Sequence, residues 1–210
     1  MGFVRIDPAG WPFVGGALVL ALAGALVSWL LVWPFIALSV VFLFFFRDPH
    51  RQITEGANVV LSPADGRVLI AGPAMADAAP PGAWQQISIF LSPLDVHVNR
   101  VPAAGRVTQV SYRPGRFLPA YHRDAAAANE RSEIWIDHDG QLIVARQIVG
   151  LLARRVVCRL RPGAMVRAGD RYGVMKFGSR MDIFVPLTAE IRVRPGDTLR
   201  AGETIIAVLH

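Results

Sequence analysis

Hydrophobic residues fill the first part of the chain without interruption and then give way to shorter runs. From Pro8 to Phe46 there is no charged residue. About 20 apolar residues are enough for a helix to cross a bilayer, so this stretch is nearly twice the length of one crossing. Pro34, near its middle, favours a break between two arms at 13–31 and 34–46. The pattern predicts that residues 1–46 form a hydrophobic helical hairpin associated with a membrane.

Arginines mark both ends of this apolar segment. Arg5 precedes it, and Arg47 and Arg51 follow it. Positive residues are retained on the cytoplasmic side, so we expect the remainder of the chain on that side of the cell membrane. The second arm is short for a complete crossing, which leaves open whether it spans the bilayer or only enters it. A cleaved signal peptide is the alternative, but the apolar run is far too long for one.

Residues 47–60 are more polar and predict a linker, after which the pattern becomes that of β-structure. Short runs rich in Val and Ile alternate with Pro, Gly and Asp turns through residues 61–210, which is typical of an all-β sandwich or barrel. A short helix is predicted near 124–129, where four alanines follow an N-cap candidate. The predicted strands are 67–71, 86–91, 106–112, 133–137, 141–149, 156–160, 183–185, 191–193 and 204–208.

One turn-rich motif occurs twice in the C-terminal part. Residues 166–170 (VRAGD) return as 193–197 (VRPGD). The motif resembles the hammerhead hairpins of lipoyl-like barrel-sandwich folds, so we expect a mainly β, barrel-sandwich architecture for the body. Between the two copies lies the step Gly178–Ser179. Such a step is most simply an ordinary turn, and a chemical role for it needs support from elsewhere in the chain.

A second motif occurs twice and differs at one informative position. Residues 63–68 (PADGRV) return as 102–107 (PAAGRV), so that Asp65 in the first copy corresponds to Ala104 in the second. Because the turn forms without an acid in one copy, the carboxylate of Asp65 is not required merely to make it. Asp65 is therefore a candidate for chemistry, and a turn capped by its own side chain is the alternative.

His97 lies between these features, just after a predicted strand and just before the second copy of the 63–68 motif. A lone histidine at a strand end is often only structural. Here a duplicated β unit could bring Asp65, His97 and Ser179 to one edge. The expected arrangement is a relay in which the carboxylate orients the imidazole, and the imidazole removes the hydroxyl proton.

The charge of the chain comes almost entirely from arginine. The formal net charge is +6, and Lys176 is the only lysine. The arginines are scattered singly, which argues against a nucleic-acid partner and favours an anionic lipid surface. The single cysteine, Cys158, excludes an internal disulfide and fits a reducing compartment. We predict no metal site.

Four short blocks carry a resemblance to a known family: 62–66 (SPADG), 91–97 (LSPLDVH), 129–131 (NER) and 176–180 (KFGSR). In the same order they resemble blocks of phosphatidylserine decarboxylase proenzymes of the short bacterial type. The resemblance extends from about Leu61 to the C-terminus.

The resemblance implies a pyruvoyl-dependent carboxy-lyase that cuts itself between Gly178 and Ser179. Residues 1–178 would become a β chain and residues 179–210 an α chain, which remain together as a heterodimer. Ser179 would become the covalent pyruvoyl cofactor. Through a Schiff base with that group, phosphatidylserine in the bilayer would lose CO₂ and give phosphatidylethanolamine, with His97 as proton donor. The exposed edges of a β body also leave a homo-oligomer open.

The chain departs from the longer members of the family at two positions. They carry a second histidine three places beyond the one that matches His97, where this chain has Arg100. They also often have Thr or Ser after the Gly-Ser step, where this chain has Arg180. A second histidine at that position is therefore not available here.

Two further predictions concern substrate and alternative function. Arg113 and Arg116 could bind the headgroup phosphate, because arginine offers bidentate geometry to it, although they could equally be solvated loop residues. A membrane-tethered carrier or adaptor is the rival function, because 174–177 (VMKF) resembles the hairpin that presents a modified lysine in biotinyl domains. In that case Lys176 would carry the group and the chain would stay intact.

Overall fold

The computed structural model describes residues 4–151, 156–176 and 178–210, and it divides the chain into one unit that ends at His50 and a second from Arg51 to His210. The first unit is a pair of apolar helices, α1 (Trp11–Ala25) and α2 (Val32–Phe45), which confirms the predicted hairpin. Strands β1 (Arg5–Ile6) and β2 (Arg47–Asp48) pair antiparallel next to the helix ends. Residues 47–48 of the predicted linker are therefore part of this unit.

The break between the helices differs from the prediction. The first helix ends at Ala25, and Pro34 lies within the first turn of α2. Proline is tolerated there because the first amide groups of a helix have no intrahelical acceptor. The run Pro8–Ala25 is the one described helical segment long and apolar enough to cross a membrane, whereas Trp29–Phe45 is shorter.

The second unit is built of β-strands with one short helix, α3 (Ala125–Ala128). The mainly β architecture is confirmed. The strands are β3 (Val59–Leu61), β4 (Gly66–Pro73), β5 (Trp84–Leu91), β6 (Val98–Arg100), β7 (Gly105–Arg113), β8 (Arg131–His138), β9 (Gln141–Val149), β10 (Val156–Cys158), β11 (Met165–Val166), β12 (Arg171–Met175), β13 (Ser179–Pro186), β14 (Glu190–Ile191), β15 (Thr198–Leu199) and β16 (Ile205–Val208). Nine of them correspond to the predicted strands, although the one predicted at 183–185 already begins at Ser179; β3, β6, β11, β12 and β15 were not predicted.

Three antiparallel sheets organise these strands. The largest has eight strands in the order β11-β7-β8-β9-β13-β5-β4-β15 and curls into a half-barrel. Two three-stranded sheets, β10-β12-β6 and β14-β16-β3, accompany it. Strand β13 lies in the middle of the large sheet, with β5 on one side and β9 on the other.

The two faces of the large sheet differ in chemistry. Alternate residues of a strand point to opposite faces. On β13 the face with Met181, Ile183 and Val185 joins the main hydrophobic core. The opposite face carries Arg180 and Asp182, which are also buried. A buried polar layer therefore lies on the far side of the sheet from the apolar core.

The 63–68 and 102–107 repeats are related in space as well as in sequence. The amide of Leu61 donates to the carbonyl of Pro102 at 2.7 Å, and the amide of Arg100 donates to the carbonyl of Pro63 at 2.8 Å. The two copies therefore exchange equivalent backbone hydrogen bonds. Through the second bond, the turn that contains Asp65 is tied directly to strand β6.

Candidate active site

Two connections cross between the same pair of sheets, and they bring His97 and Gly178 together. Strand β5 in the large sheet leads to β6 in a small sheet through residues 92–97. Strand β12 ends at Met175 in that small sheet, and β13 begins at Ser179 in the large one, with Lys176 and Gly178 as the described residues between them. Because β5 pairs with β13 and β6 pairs with β12, the two connections run side by side. His97 ends the first connection, and Gly178 ends the second.

His97 is fully buried and oriented by backbone groups. Its Nδ1 atom lies 3.0 Å from the carbonyl oxygen of Asp95, and its Nε2 atom lies 3.4 Å from the amide nitrogen of Gly178. A carbonyl can only accept and an amide N–H can only donate, so Nδ1 carries the hydrogen and Nε2 presents a lone pair. In addition, the amide of Met175 donates to the His97 carbonyl at 3.2 Å. The imidazole is therefore held in the tautomer of a base, directed at Gly178.

Ser179 begins β13 with its side chain buried at 0 % exposure. Within residues 4–151, 156–176 and 178–210, its Oγ atom has no hydrogen-bond partner. A buried hydroxyl without a partner costs roughly 1–3 kcal/mol, so such an atom in a folded protein calls for an explanation. The residue before it, Gly178, is in contact with the imidazole of His97.

Gly178 adopts a conformation that suits glycine, with φ of 74°. Its carbonyl group is directed at Gly150, because a Cβ atom on residue 150 would lie 2.1 Å from the Gly178 oxygen and 3.1 Å from the carbonyl carbon. No side chain larger than hydrogen fits at residue 150 without moving that carbonyl. Our sequence reasoning did not identify Gly150. The available signal was a glycine immediately after a long buried strand.

The side chain of Asn129 holds the end of strand β9 next to the Gly178–Ser179 peptide. Val149, the last residue of β9, pairs with Ser179. The Asn129 Nδ2 atom donates to the carbonyl of Val149 at 2.8 Å and to that of Leu118 at 2.8 Å. Its Oδ1 atom accepts from the amide of Leu118 at 2.9 Å. This buried side chain belongs to the 129–131 block but had been given no role.

Asp65 lies in a different environment from the one that the relay assumed. Its Oδ2 atom forms an ion pair with Arg51 at 2.6 Å, and its Oδ1 atom accepts from the amide of Ala201 at 2.8 Å. The position next to Nδ1 of His97, which the relay gave to this carboxylate, is occupied by the Asp95 carbonyl. Asp65 is connected to the histidine through its turn and strand β6, because the Pro63 carbonyl of that turn accepts from the amide of Arg100.

An apolar cavity of about 250 Å³ opens onto Gly178. The rings of Phe90 and Tyr121 meet edge to face at its wall, with centroids 5.9 Å apart. The lining residues are Phe90, Pro93, Pro119, Ala120, Tyr121, Leu151 and Gly178. The cavity gives the Gly178–Ser179 peptide an apolar approach from outside.

The remaining predicted residues are more peripheral. Arg113 ends β7 and Arg116 follows it, both exposed, and neither is among the residues that line the apolar cavity. Their contact with a phosphate stays a prediction. Lys176 is half-buried rather than displayed at an exposed hairpin tip, which does not favour the carrier function. Within the described parts of the chain, no group of three or more His, Cys, Asp and Glu side chains could hold a metal ion.

Comparison with known proteins assigns the family. The family model described as phosphatidylserine decarboxylase matches residues 38–207. A phosphatidylserine decarboxylase proenzyme of Ralstonia pickettii is 42% identical over 204 residues, which cover 95% of this chain and 94% of the relative. Proteins with the same name from Geotalea daltonii, 41% identical over 98% of this chain and 97% of the relative, and Granulibacter bethesdensis, 42% identical over 96% and 84%, are also similar.

The Gly178–Ser179 peptide thus lies where two connections run side by side, and the family model and the relatives cover most of the chain. The chain belongs to the phosphatidylserine decarboxylase family, as its four sequence blocks indicated. Membership supports an enzyme that acts as a decarboxylase and that is made as a proenzyme.

Proposed function

We propose that this chain cleaves itself between Gly178 and Ser179 and then converts phosphatidylserine into phosphatidylethanolamine and CO₂. The observation that carries the proposal is the buried Ser179 hydroxyl, which has no partner among the described residues and follows a glycine whose amide contacts the lone pair of His97. A nucleophile next to an oriented base is the arrangement needed for attack on a carbonyl group. The name shared by the relatives supports the substrate.

The self-cleavage begins with transfer of the Ser179 hydroxyl proton to Nε2 of His97. The Oγ atom attacks the Gly178 carbonyl carbon, so that an ester C–O bond forms while the peptide C–N bond breaks, and the proton passes to the released amine. This step requires a rotation about the Cα–Cβ bond of Ser179 that brings Oγ to the imidazole, and the hydroxyl has no hydrogen bond among the described residues to lose. The contact between the Gly178 carbonyl and Gly150 limits the direction of attack.

The ester then breaks by elimination. Loss of the Cα proton of residue 179 breaks the Cβ–Oγ bond and frees Gly178 as a carboxylate. The dehydroalanine that remains takes up one water molecule and loses ammonia, which leaves a pyruvoyl group at the new N-terminus. The overall balance is one peptide bond and one water consumed for one carboxylate, one pyruvoyl group and one ammonia.

The residues present fit a pyruvoyl group at position 179. The carbon skeleton is already that of Ser179, and the neighbouring cavity is lined mainly by apolar residues. When formed, the group supplies a ketone that bonds to the serine amine of the lipid and accepts the electron pair released with CO₂. His97 is buried beside this position and can return a proton to the product carbon.

The two fragments are expected to stay together after cleavage. Strand β13 is paired along its length with both β5 and β9, so the α chain keeps its place in the centre of the large sheet. Strands β15 and β16 of the same fragment pair with β4 and β3. Separation would break all of these ladders at once.

The helical pair of the first unit suits a substrate that does not leave the bilayer. The helices α1 and α2 expose many large apolar side chains, among them Leu22, Leu26 and Trp29. Exposed apolar area of this extent marks a membrane or protein contact. With Arg5 and Arg47 at the ends of the segment, we propose that the body lies on the cytoplasmic side of the cell membrane.

We assign Asp65 a positioning role in the cleavage. It fixes its turn through the Ala201 amide, and the Pro63 carbonyl of the same turn accepts from Arg100, three residues after His97. Replacement by Asn keeps an acceptor for Ala201, whereas replacement by Ala removes it. The positioning role therefore predicts that Asp65→Asn cleaves faster than Asp65→Ala, whereas the direct relay predicts an equal loss of cleavage in both.

The experiment that tests the proposal compares the wild-type chain with Ser179→Ala. Wild-type protein is expected to yield two fragments that copurify and release CO₂ from phosphatidylserine. The Ser179→Ala protein is expected to remain a single chain without activity. Two fragments from the Ala variant would show that the hydroxyl is not the nucleophile.

A further inference from the structure

A second cavity lies next to the apolar one and contains two arginines. Its volume is about 420 Å³, and its lining residues are Leu69, Ile70, Met75, Tyr121, Arg123 and Arg180. Tyr121 lines both cavities, and Arg180 is the residue that follows Ser179 in β13. We propose that this second cavity binds the phosphate of the lipid headgroup, with Arg180 and Arg123 as its cationic groups. The assignment rests on the proposed decarboxylation of phosphatidylserine.

Arg180 is fixed in place before any ligand arrives. It is 1 % exposed, its Nε atom donates to Oδ1 of Asp182 at 2.6 Å, and its Nη2 atom donates to Oγ of Ser88 at 2.9 Å. Gln86 contacts the other oxygen of Asp182 at 3.2 Å. A guanidinium group held in this way can meet an anion without further loss of side-chain freedom.

The surroundings of Arg180 carry more positive than negative charge. Arg131 on β8 and Arg180 on β13 both lie opposite Ile148 of β9, one on each side of it. Arg146 binds Glu133 and Arg180 binds Asp182, whereas Arg131 donates to the backbone carbonyls of Ala126 and Ala127. Burial lowers the pKa of Arg131, and repulsion from Arg146 lowers it further. An additional anion would relieve this repulsion.

Arg123 supplies a second cation at the opening of the cavity. It is exposed, and among the described residues it has no hydrogen-bond or ion-pair partner. No carboxylate lines the cavity. A buried, fixed arginine and an unengaged one on the same cavity are suited to a phosphodiester, since Arg123 can donate paired N–H groups to its oxygens and Arg180 can donate from its Nη1 group.

The covalent structure of the phosphatidylserine headgroup requires its carboxylate and its phosphate to bind at different positions. Its carboxylate is on the carbon that carries the amine, so that group must lie at residue 179 itself. The phosphate is attached one carbon further away and belongs in the neighbouring cavity, past Tyr121. Arg113 and Arg116, predicted from the sequence as phosphate ligands, line neither cavity.

The kinetic test uses Arg123→Gln, because an exposed side chain can be replaced without disturbing the core. The matched control is Arg194→Gln, an exposed arginine in the 193–197 turn, outside both cavities. We expect complete self-cleavage in both, and a KM for phosphatidylserine in mixed micelles raised about tenfold in Arg123→Gln alone, with kcat within about twofold. An unchanged KM in Arg123→Gln, or the same increase in Arg113→Gln, would overturn the assignment.

A binding measurement does not depend on turnover. Titration calorimetry of the uncleaved Ser179→Ala protein is made with glycerophosphoserine, inorganic phosphate and L-serine. We expect Arg123→Gln in the Ser179→Ala background to weaken the binding of glycerophosphoserine about tenfold and to leave the binding of L-serine unchanged. The change in affinity for inorganic phosphate distinguishes a general anion site from a headgroup site. Equal affinity of both proteins for glycerophosphoserine would contradict the assignment. Absence of decarboxylation by wild-type protein would instead refute the proposed function.

Discussion

Replacement of Gly150 by alanine tests the geometry of the cleaved peptide most severely. The added Cβ atom would lie 2.1 Å from the Gly178 carbonyl oxygen, whereas real Cβ atoms essentially never come within 3.0 Å of such a neighbour. The carbonyl or the end of β9 must therefore move by about 1 Å. A misplacement of this size at reacting atoms costs about 100-fold in rate. We therefore expect self-cleavage of Gly150→Ala to be slower by about two orders of magnitude.

The same substitution also costs stability, and the assay must separate the two effects. Overpacking of a buried site typically costs about 1–3 kcal/mol. Gly140→Ala is a suitable control, because Gly140 lies at the other end of β9, has φ of 86°, and would place its Cβ more than 4 Å from any neighbour. Alanine at such a φ destabilises the fold without touching Gly178.

Cleavage is followed by intact mass during cell-free synthesis, with thermal unfolding of each purified protein as the measure of stability. Gly140→Ala is expected to lose stability but to cleave at nearly the wild-type rate. If folded Gly150→Ala cleaves as fast as wild-type protein, the Gly178 carbonyl is not held against residue 150 and our description of the site is wrong. If cleavage is slowed equally in Gly150→Ala and Gly140→Ala, the slowing is due to loss of stability alone.

Two other substitutions separate the roles of the base and the acid. His97→Gln is expected to fold but to remain uncleaved on a denaturing gel, because it removes the imidazole lone pair that contacts the Gly178 amide; rapid cleavage would exclude His97 as the base. Asp65→Asn is expected to cleave faster than Asp65→Ala, because only Asn keeps an acceptor for Ala201. Equal loss in both Asp65 variants would restore the direct carboxylate relay.

The architecture was accessible from the sequence because it depends on local patterns. Alternating runs of Val and Ile predicted the strands, and the uncharged run predicted the helical pair. The position of the helix break was not accessible, because Pro34 is compatible with both a kink and a first turn. Only packing decides between these two possibilities.

The site was accessible in part, for a similar reason. His97 and Gly178 are in contact in the structure, and both lie in short motifs at strand ends that could be recognised in the sequence. The hydrogen-bond partner of the His97 Nδ1 atom was not predicted, because it is the backbone carbonyl of Asp95. The direction of a backbone carbonyl in a loop cannot be read from the identity of the side chains. Gly150 was missed because it meets the Gly178 carbonyl only through the pairing of strands that are distant in sequence. Arg123 was missed because only the folded path of its loop brings it to the second cavity.

The most direct test of the central claim is the intact mass of purified wild-type protein under denaturing conditions. We predict two species, residues 1–178 and residues 179–210, with the smaller one lighter by one ammonia than the fragment that begins with serine. That mass identifies both the bond that breaks and the pyruvoyl group that forms. A single species with the full mass of 210 residues, from folded protein that has been incubated to completion, would contradict the account.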